Sequence, residues 1–336
     1  MTHPLRALTR TTTWTPRTLS DARPSLTRRT SARRTLLALS RSAVVRHRAG
    51  VDEHVTVDGD TRFVRTANSR RLAFCEWGDP DGPAIFYLHG TPGSRYLRHV
   101  GDLYVDADLR VITYDRPGYG LSAPAPGRIV ADTAADVAAI ADHLGLERFS
   151  VVGVSAGGVH AFAVAAVLPD RVSRCVGLKA LAPYPADGLD FYAGMDPTDA
   201  ASFRLLVTGD REALAADAEE TRAWIESGMP GLTETGPSRD VLAQAFNEAF
   251  RRGLEGHIDD WAAHVRGHGY DIESVRTPTW LMAARDDQQV PPGHGRWLAD
   301  HLHHARLVWV DGGHFDDQEP EEMEAFIWAG HGLEPR

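Results

Sequence analysis

Residues 151–168, VVGVSAGGVHAFAVAAVL, form an eighteen-residue stretch without a charged side chain. A stretch of this length and polarity is long enough to cross a lipid bilayer as one helix. Three glycines interrupt it, and glycine is unfavourable in the interior of a regular element. The stretch is therefore interpreted as two buried elements that meet at Ser155, a strand that ends at Val154 and a helix from Ala156 to Leu168.

Short runs of β-branched and aromatic residues alternate with longer helical patterns from residue 62 onward. Several of these runs are apolar almost throughout, as are parallel strands that are covered on both faces. This alternation predicts an α/β fold with a doubly wound, mostly parallel sheet. The predicted strands are 71–77, 84–89, 110–115, 149–154, 173–180, 277–284 and 305–310.

The alternation breaks between residues 185 and 270, where helical patterns such as 211–228 and 239–253 follow one another without a clear strand. A helical block between two strands of an α/β sheet predicts a cap over the C-terminal edge of the sheet, where such sheets bind ligands. The predicted organisation is an α/β core at residues 56–184 and 271–336, with a helical cap at residues 185–270.

The N-terminal segment has a different composition from the rest of the chain. Residues 1–50 contain eleven arginines and one acidic residue, Asp21, and show no sustained helical or strand period. A segment of this kind buries too little apolar surface to offset its chain entropy. We predict a basic, disordered extension over residues 1–55; an organelle transit peptide and a nucleic-acid-binding arm are the alternatives.

Charge and cysteine content limit the partners and the compartment. The chain has a formal net charge of −10, and residues 1–50 contribute +10, so the remainder carries −20. This acidic body is a poor match for a phosphate backbone, and we expect no nucleic-acid partner. Two cysteines cannot build a disulfide framework, and no secretory signal is evident. The expected location is the cytoplasm, without membrane association.

The five residues 153–157 read G-x-S-x-G. In this pattern the serine lies on a strained turn between a strand and a helix, and its side chain is exposed at the C-terminal edge of the sheet. The start of the helix adds positive partial charge and free N–H groups where an oxyanion would form. Ser155 is therefore a candidate nucleophile.

A serine hydroxyl is a weak nucleophile until a base accepts its proton, and the base needs a third group to fix its orientation. Two later predicted strands end beside residues of the required types. Asp286 and Asp287 follow strand 277–284, and His314 follows strand 305–310. Because parallel strands end at the same edge of a sheet, these side chains are expected to lie near Ser155.

The order of these motifs resembles that of the α/β-hydrolase superfamily, in its capped, esterase-like form, over about residues 60–332. Together and in this order the motifs are highly specific. They are HGTPGS (89–94), DRPGYGLS (115–122), GVSAGG (153–158), DQQVP (287–291) and GGHF (312–315).

The resemblance implies a catalytic triad. Ser155 matches the family nucleophile, and His314 matches the general base that later acts as acid. Asp287 matches the residue that orients the histidine, because it alone satisfies the D-x-x-V-P spacing of the family. Asp286 remains open as the acid, since a sequence defines turn geometry poorly.

The resemblance also implies an oxyanion hole built from two backbone N–H groups. One belongs to Ala156, the residue after the serine, and the other to Thr91 in the HGTPG loop. The implied reaction is hydrolysis through an acyl-enzyme, without cofactor, on a small-molecule substrate. A carboxylic ester is favoured on family frequency, while lactone, amide and carbon–carbon bonds stay open.

Two further classes of function fit the same motifs. One is a cofactor-free haloperoxidase-like or aminopeptidase-like enzyme, and the other is a non-catalytic ligand receptor on the same fold. No GxxxxGK[ST] or GxGxxG motif supports nucleotide binding. The sequence does not indicate an oligomeric state.

Several polar residues are interpreted as structural. Asp115, before a Pro-Gly turn, is expected to bind backbone groups locally, and His89 is expected to fix the loop that follows it. His301, His303 and His304, together with His264 and His268, suggest a metal site at first sight. No H-E-x-x-H or paired C-x-x-C accompanies them, so surface histidines on helices are predicted and no metal is expected.

Overall fold

The computed structural model describes residues 61–98, 107–232, 236–316 and 319–333. The prediction of a disordered extension at residues 1–55 lies outside these residues. Within the described part, no helix combines the length and the apolar character that a membrane crossing requires.

The described residues form one eight-stranded sheet with the spatial order β1-β2-β4-β3-β5-β6-β7-β8. Strands β1 and β2 pair antiparallel with each other, β2 pairs antiparallel with β4, and the other pairings are parallel. The strands are β1 Arg62–Arg65, β2 Arg71–Gly78, β3 Ala84–Leu88, β4 Arg110–Tyr114, β5 Phe149–Val154, β6 Val172–Leu178, β7 Thr279–Ala284 and β8 Ala305–Val310.

Eight α-helices are seen in the described residues, together with short 3-10 turns at Val130–Asp132 and Ile272–Ser274. The helices are α1 Thr133–His143, α2 Ala156–Val167, α3 Pro197–Leu206, α4 Arg211–Glu226, α5 Gly236–Ala249, α6 Glu255–Val265, α7 Pro292–His301 and α8 Glu319–His331. Helices α3 to α6 lie between β6 and β7 in the chain and form the helical insertion, the name used below for residues 197–265.

The predicted mostly parallel, doubly wound sheet is confirmed, and alternate residues of its strands pack on opposite faces. On one face, Phe86 and Val151 pack with the buried side of α1 and α2. On the other face, Ile85 and Val152 pack with Phe326 of α8. A third apolar cluster joins α2 to the helical insertion through residues such as Val159 and Trp261.

The uncharged stretch at residues 151–168 forms two elements, as predicted. Strand β5 ends at Val154 and helix α2 begins at Ala156. Ten of the twelve residues of α2 are buried, and five of the six residues of β5 are. The lack of charge therefore reflects burial between protein layers.

The structure differs from the predicted elements in a few places. Strand β1 and helices α3, α6 and α8 were not predicted, and predicted strand 173–180 is observed at Val172–Leu178. The last two residues of the predicted strand, Lys179 and Ala180, leave the sheet because Lys179 has a φ of +46°. A φ of this sign is incompatible with an extended strand.

Candidate active site

Ser155 lies at the carboxyl end of the central strand β5, on the turn that leads into α2. Its backbone has φ 55° and ψ −128°, a strained conformation for a residue with a side chain. Its N–H donates to the carbonyl oxygen of Leu178 at 2.9 Å. A Cβ on Gly157 would lie 2.3 Å from the carbonyl oxygen of Leu88, so only glycine permits the helix to start this close to β3. The turn therefore presents Ser155 at the C-terminal edge of the sheet.

Asp287 and His314 form a hydrogen-bonded pair beyond the ends of β7 and β8. The distance between His314 Nδ1 and Asp287 Oδ2 is 2.8 Å. The other oxygen of Asp287 accepts the N–H groups of Gln289 at 2.9 Å and Val290 at 2.8 Å. Asp287 is buried, and these hydrogen bonds orient its carboxylate toward the imidazole.

Asp286, the alternative acid, takes a different position. Its side chain is exposed, and its backbone N–H donates to the carbonyl oxygen of Gly312 at 3.0 Å. The structure therefore brings Asp287, and not Asp286, to His314.

Ser155 and His314 line one cavity of about 660 Å³, together with Thr91 and Ala156. The helical insertion also lines this cavity. Its contribution is mixed in character, with polar groups such as Asp199, Ser202 and Asp217 beside apolar ones such as Trp224, Phe246 and Trp261.

Thr91 and Ala156 place their backbones beside the serine from two different elements. Ala156 is the first residue of α2, where backbone N–H groups have no partner within the helix. Thr91 lies in the loop after β3, and the neighbouring Gly90 is so close that a Cβ there would lie 3.3 Å from the Cβ of Ser155. The two residues implied for an oxyanion hole therefore line the same cavity as the serine.

Lys179, the single lysine of the chain, lies beneath the His314 loop and is 4% exposed. Its Nζ donates to the carbonyl oxygen of His314 at 2.9 Å and to that of Asp316 at 3.1 Å. Lys179 directly follows β6 and also lines the cavity. Its ammonium group thus holds the backbone of the loop that carries the candidate base.

His89 and Asp115 occupy the structural positions that were predicted for them. His89 Nδ1 lies 2.7 Å from the carbonyl oxygen of Gly90, and burial together with Arg116 holds the pKa of His89 well below its usual range. Asp115 is buried and accepts the N–H of Arg95 at 2.6 Å and that of Leu121 at 2.8 Å. His89 binds its own loop as predicted, whereas Asp115 binds its own loop through Leu121 and also pairs with Arg95 in the loop after β3.

The prediction that His264 and His268 are surface residues is wrong. His264 is 3% exposed and His268 is 9% exposed. Burial lowers the pKa of His264 to about 3 and that of His268 to about 4, so both are neutral at physiological pH. His303 and His304 are exposed, as predicted, but they lie in the turn after α7 and not on a helix. The error arose because α6, which carries His264, was not predicted as a buried helix.

His160, Asp260 and His264 are the group in the described residues that offers three metal-ligand atoms close together, within 4.8 Å of one another. The carboxylate of Asp260 already binds the guanidinium groups of Arg116 at 2.6 Å and Arg128 at 2.8 Å. A cation placed among these atoms would face two positive charges in a buried environment, which opposes metal binding.

A family profile described as alpha/beta hydrolase fold matches residues 83–316. The chain belongs to the α/β-hydrolase fold family. The matched range contains each candidate residue of the site.

Relatives in this α/β-hydrolase family include enzymes with several hydrolytic activities. A bifunctional esterase/perhydrolase from Acinetobacter calcoaceticus is 33% identical over 233 residues, which cover 68% of this chain and 83% of that protein. A 2-hydroxy-6-oxo-6-phenylhexa-2,4-dienoate hydrolase from Comamonas testosteroni is 28% identical over 265 residues, which cover 71% and 84%. The chain is accordingly a hydrolase.

A solved structure supports the fold. An esterase from Exiguobacterium antarcticum has a TM-score of 0.58 to this chain at 19% identity, with 79% of this chain and 97% of that one covered. At this identity the similarity shows the α/β-hydrolase fold alone.

Sequence reasoning missed three polar groups around the α/β-hydrolase site. One is Lys179, whose signal was its place near the end of a predicted strand, at the edge where ligands bind. The second is the pair Asp217 and His257 of the helical insertion, joined at 2.9 Å through His257 Nε2. The third is Asp260, whose hydrogen-bond partners lie more than 130 positions earlier in the chain and leave no local signal.

Proposed function

We propose that the protein is a serine hydrolase that uses Ser155, His314 and Asp287 on a small carboxylic ester. The observation that carries this proposal is the 2.8 Å pair of His314 Nδ1 and Asp287 Oδ2 beside the cavity that Ser155 lines. With Nδ1 bound to a carboxylate, the imidazole presents Nε2 as its basic nitrogen.

In the first half-reaction, His314 accepts the hydroxyl proton of Ser155 as Oγ bonds to the carbonyl carbon of the ester. The carbonyl oxygen becomes an oxyanion, which the N–H groups of Thr91 and Ala156 stabilise. When the tetrahedral intermediate collapses, the bond to the alcohol oxygen breaks and His314 donates its proton to that oxygen. An acyl-enzyme on Ser155 remains.

In the second half-reaction, His314 accepts a proton from water as the water oxygen bonds to the acyl carbon. Collapse of this second intermediate breaks the bond to Ser155 Oγ, which recovers its proton from His314. The products are one alcohol and one carboxylic acid per ester, and no external oxidant or reductant is consumed.

We propose that residues 185–270, which contain the helical insertion, are the cap that closes this site. A cavity of about 660 Å³ is within the range of small-molecule sites, about 300–1,000 Å³. Its mixed polar and apolar wall suits an ester with a short acyl or alcohol chain better than a long lipid. We also propose a reducing, cytoplasmic location, because the two cysteines of the chain cannot build a disulfide framework.

A fluorophosphonate probe tests the nucleophile. The purified protein should be labelled at Ser155, and Ser155→Ala should abolish labelling while its thermal unfolding stays close to that of the unsubstituted protein. Ester hydrolysis by Ser155→Ala should fall by about 10⁴-fold or more. Labelling that persists in Ser155→Ala would contradict the assignment, and a protein that resists the probe altogether would favour the receptor alternative.

A series of p-nitrophenyl esters of increasing acyl length tests the substrate class. We expect the highest kcat/KM for short acyl groups, with a decrease once the chain exceeds the cavity. A maximum at long acyl chains would contradict the small-ester proposal and leave the triad unaffected.

A further inference from the structure

Asp260, on helix α6 of the helical insertion, is fully buried and contacts the loop that carries Thr91. Asp260 Oδ2 accepts the Thr91 hydroxyl at 2.7 Å and Arg116 Nη2 at 2.6 Å. Asp260 Oδ1 accepts Arg128 Nη1 at 2.8 Å and Arg116 Nε at 3.1 Å. A carboxylate with this many charge-assisted bonds is held in one orientation.

Arg116 extends these contacts to the backbone just before Thr91. Its Nη2 donates to the carbonyl oxygen of Gly90 at 2.9 Å, and its Nη1 donates to the carbonyl oxygen of His89. The Gly90 carbonyl and the Thr91 N–H belong to the same peptide group. Because that group is planar, a contact that fixes the carbonyl also fixes the direction of the N–H.

The position of Asp260 follows from a close contact between two backbones. A Cβ on Gly256 would lie 2.5 Å from the carbonyl carbon of Gly118, so α6 packs directly on the loop that follows β4. Asp260 lies four residues after Gly256, on the same face of the helix. That face places the carboxylate over Arg116.

The neighbouring arginines keep the Asp260 carboxylate ionised although it is buried. Burial alone would raise the pKa of Asp260, but Arg116 and Arg128 hold it well below its usual range. His160 also faces Asp260, with 3.6 Å between His160 Nε2 and Asp260 Oδ1, and burial holds the pKa of His160 well below its usual range. Tyr119 donates its hydroxyl to Asp260 Oδ2 at 3.3 Å.

We propose that Asp260 is a positioning residue for the oxyanion hole, which it holds through Arg116 and the Thr91 hydroxyl. The helical insertion thereby determines where the Thr91 N–H points, in addition to forming a wall of the cavity. This inference rests on the proposed function, because it assumes that the Thr91 N–H stabilises an oxyanion.

The test compares Asp260→Asn with Asp136→Asn. Asp136, on α1, is 1% exposed and forms an ion pair with the partly buried Arg70, so its substitution is a matched loss of a buried carboxylate outside the site. We expect Asp260→Asn to lower kcat on p-nitrophenyl acetate by about 10- to 100-fold, below the effect of deleting a donor, with KM changed by less than about 2-fold. Asp136→Asn should lower the melting temperature and keep kcat.

Fluorophosphonate labelling supplies a second readout. As the serine attacks the probe, the phosphoryl oxygen of the probe gains negative charge in the oxyanion hole. The rate of labelling should fall in Asp260→Asn by a factor similar to that in kcat. If Asp260→Asn does not fold, Arg116→Lys is tested in its place. Lysine keeps the positive charge but lacks the planar guanidinium group that binds both Gly90 and Asp260, so kcat should fall by about 10-fold.

Two results would overturn the inference: an unchanged kcat in the folded variant, or an equal loss of kcat in Asp136→Asn. Failure of the proposed function has a different signature. In that case the unsubstituted protein would hydrolyse no ester, or Ser155→Ala would retain activity, whatever the behaviour of Asp260→Asn.

Discussion

Three residues from three separate strand ends form the candidate triad, and each is restrained by a different device. A strained backbone presents Ser155, two backbone N–H groups orient Asp287, and the ammonium of Lys179 holds the backbone of His314. The first device is visible in the sequence as G-x-S-x-G. The second is also local, because its donors are Gln289 and Val290, but the D-x-x-V-P spacing identified Asp287 only through family resemblance. The third depends on a contact between distant segments.

Asp287→Asn should lower kcat by about 10³- to 10⁴-fold with little change in fold, because asparagine cannot hold the same imidazole tautomer. Asp286→Asn is the matched control, since the neighbouring carboxylate is exposed and contacts no residue of the triad. Steady-state ester hydrolysis by the two variants measures the difference. A large loss in Asp286→Asn with normal activity in Asp287→Asn would reverse the assignment.

Lys179→Met should lower kcat by about 10- to 100-fold, because the His314 loop loses two charge-assisted hydrogen bonds and the base moves from its position. Arg70→Met, which removes a cation from the ion pair with Asp136, controls for the loss of a partly buried charge away from the site. Ester kinetics and circular dichroism are measured together. A folded Lys179→Met with unchanged kcat would show that the loop needs no support from this side chain.

Among the elements, the strand–turn–helix unit around Ser155 was the most predictable from sequence. Strand β5 is observed at Phe149–Val154, as predicted, because its apolar run and the following glycines are both local signals. Helix α6 was missed for the opposite reason. Its acidic residues Asp259 and Asp260 look solvent-exposed in the sequence, yet both are buried against arginines from other segments.

Gly157→Ala should destabilise the protein by about 3 kcal/mol, because the added Cβ overlaps the carbonyl oxygen of Leu88 and β3 and α2 must separate. Gly145→Ala is the control: its φ of +69° is unfavourable for alanine, but there is open space around it, and about 1 kcal/mol is expected. Urea unfolding measures both. Equal costs would show that the close approach at Gly157 is not the constraint.

For the whole molecule, the sequence predicted the sheet type, the order of the motifs and the edge at which they meet. These properties follow from hydrophobic periodicity and from the rule that parallel strands end together. The buried polar groups were not predictable, because the partners of Asp260 and Lys179 are brought together only by the complete fold. Histidines in the interior, such as His264 and His294, belong to the same class.

Stability should fall as the pH decreases below about 6.5. Burial lowers the pKa of His264 to about 3 and that of His294 to about 4, from an ordinary value of 6.5. Between those values and 6.5 the unfolded chain binds protons that the folded chain does not, so stability rises with pH across this window. Each histidine contributes a slope of up to about 1.4 kcal/mol per pH unit.

His294→Gln tests this prediction. In the folded protein His294 Nδ1 accepts the N–H of Ala182 at 3.2 Å, and Nε2 lies 3.0 Å from the carbonyl oxygen of Phe191, so protonation would break the first contact. The free energy of unfolding is measured in urea between pH 5 and pH 7.5. The variant should show a smaller decrease on acidification, and an unchanged slope would exclude His294 as a source.

Because Lys179 is buried, its chemical modification also reports how often this part of the chain opens. An amine-directed reagent such as an N-hydroxysuccinimide ester has one lysine side chain to modify in the whole sequence, and that side chain is 4% exposed under the His314 loop. Modification requires the loop to open. The rate at which the peptide containing residue 179 gains mass therefore measures how often the active-site edge opens, and a tightly bound inhibitor should slow it.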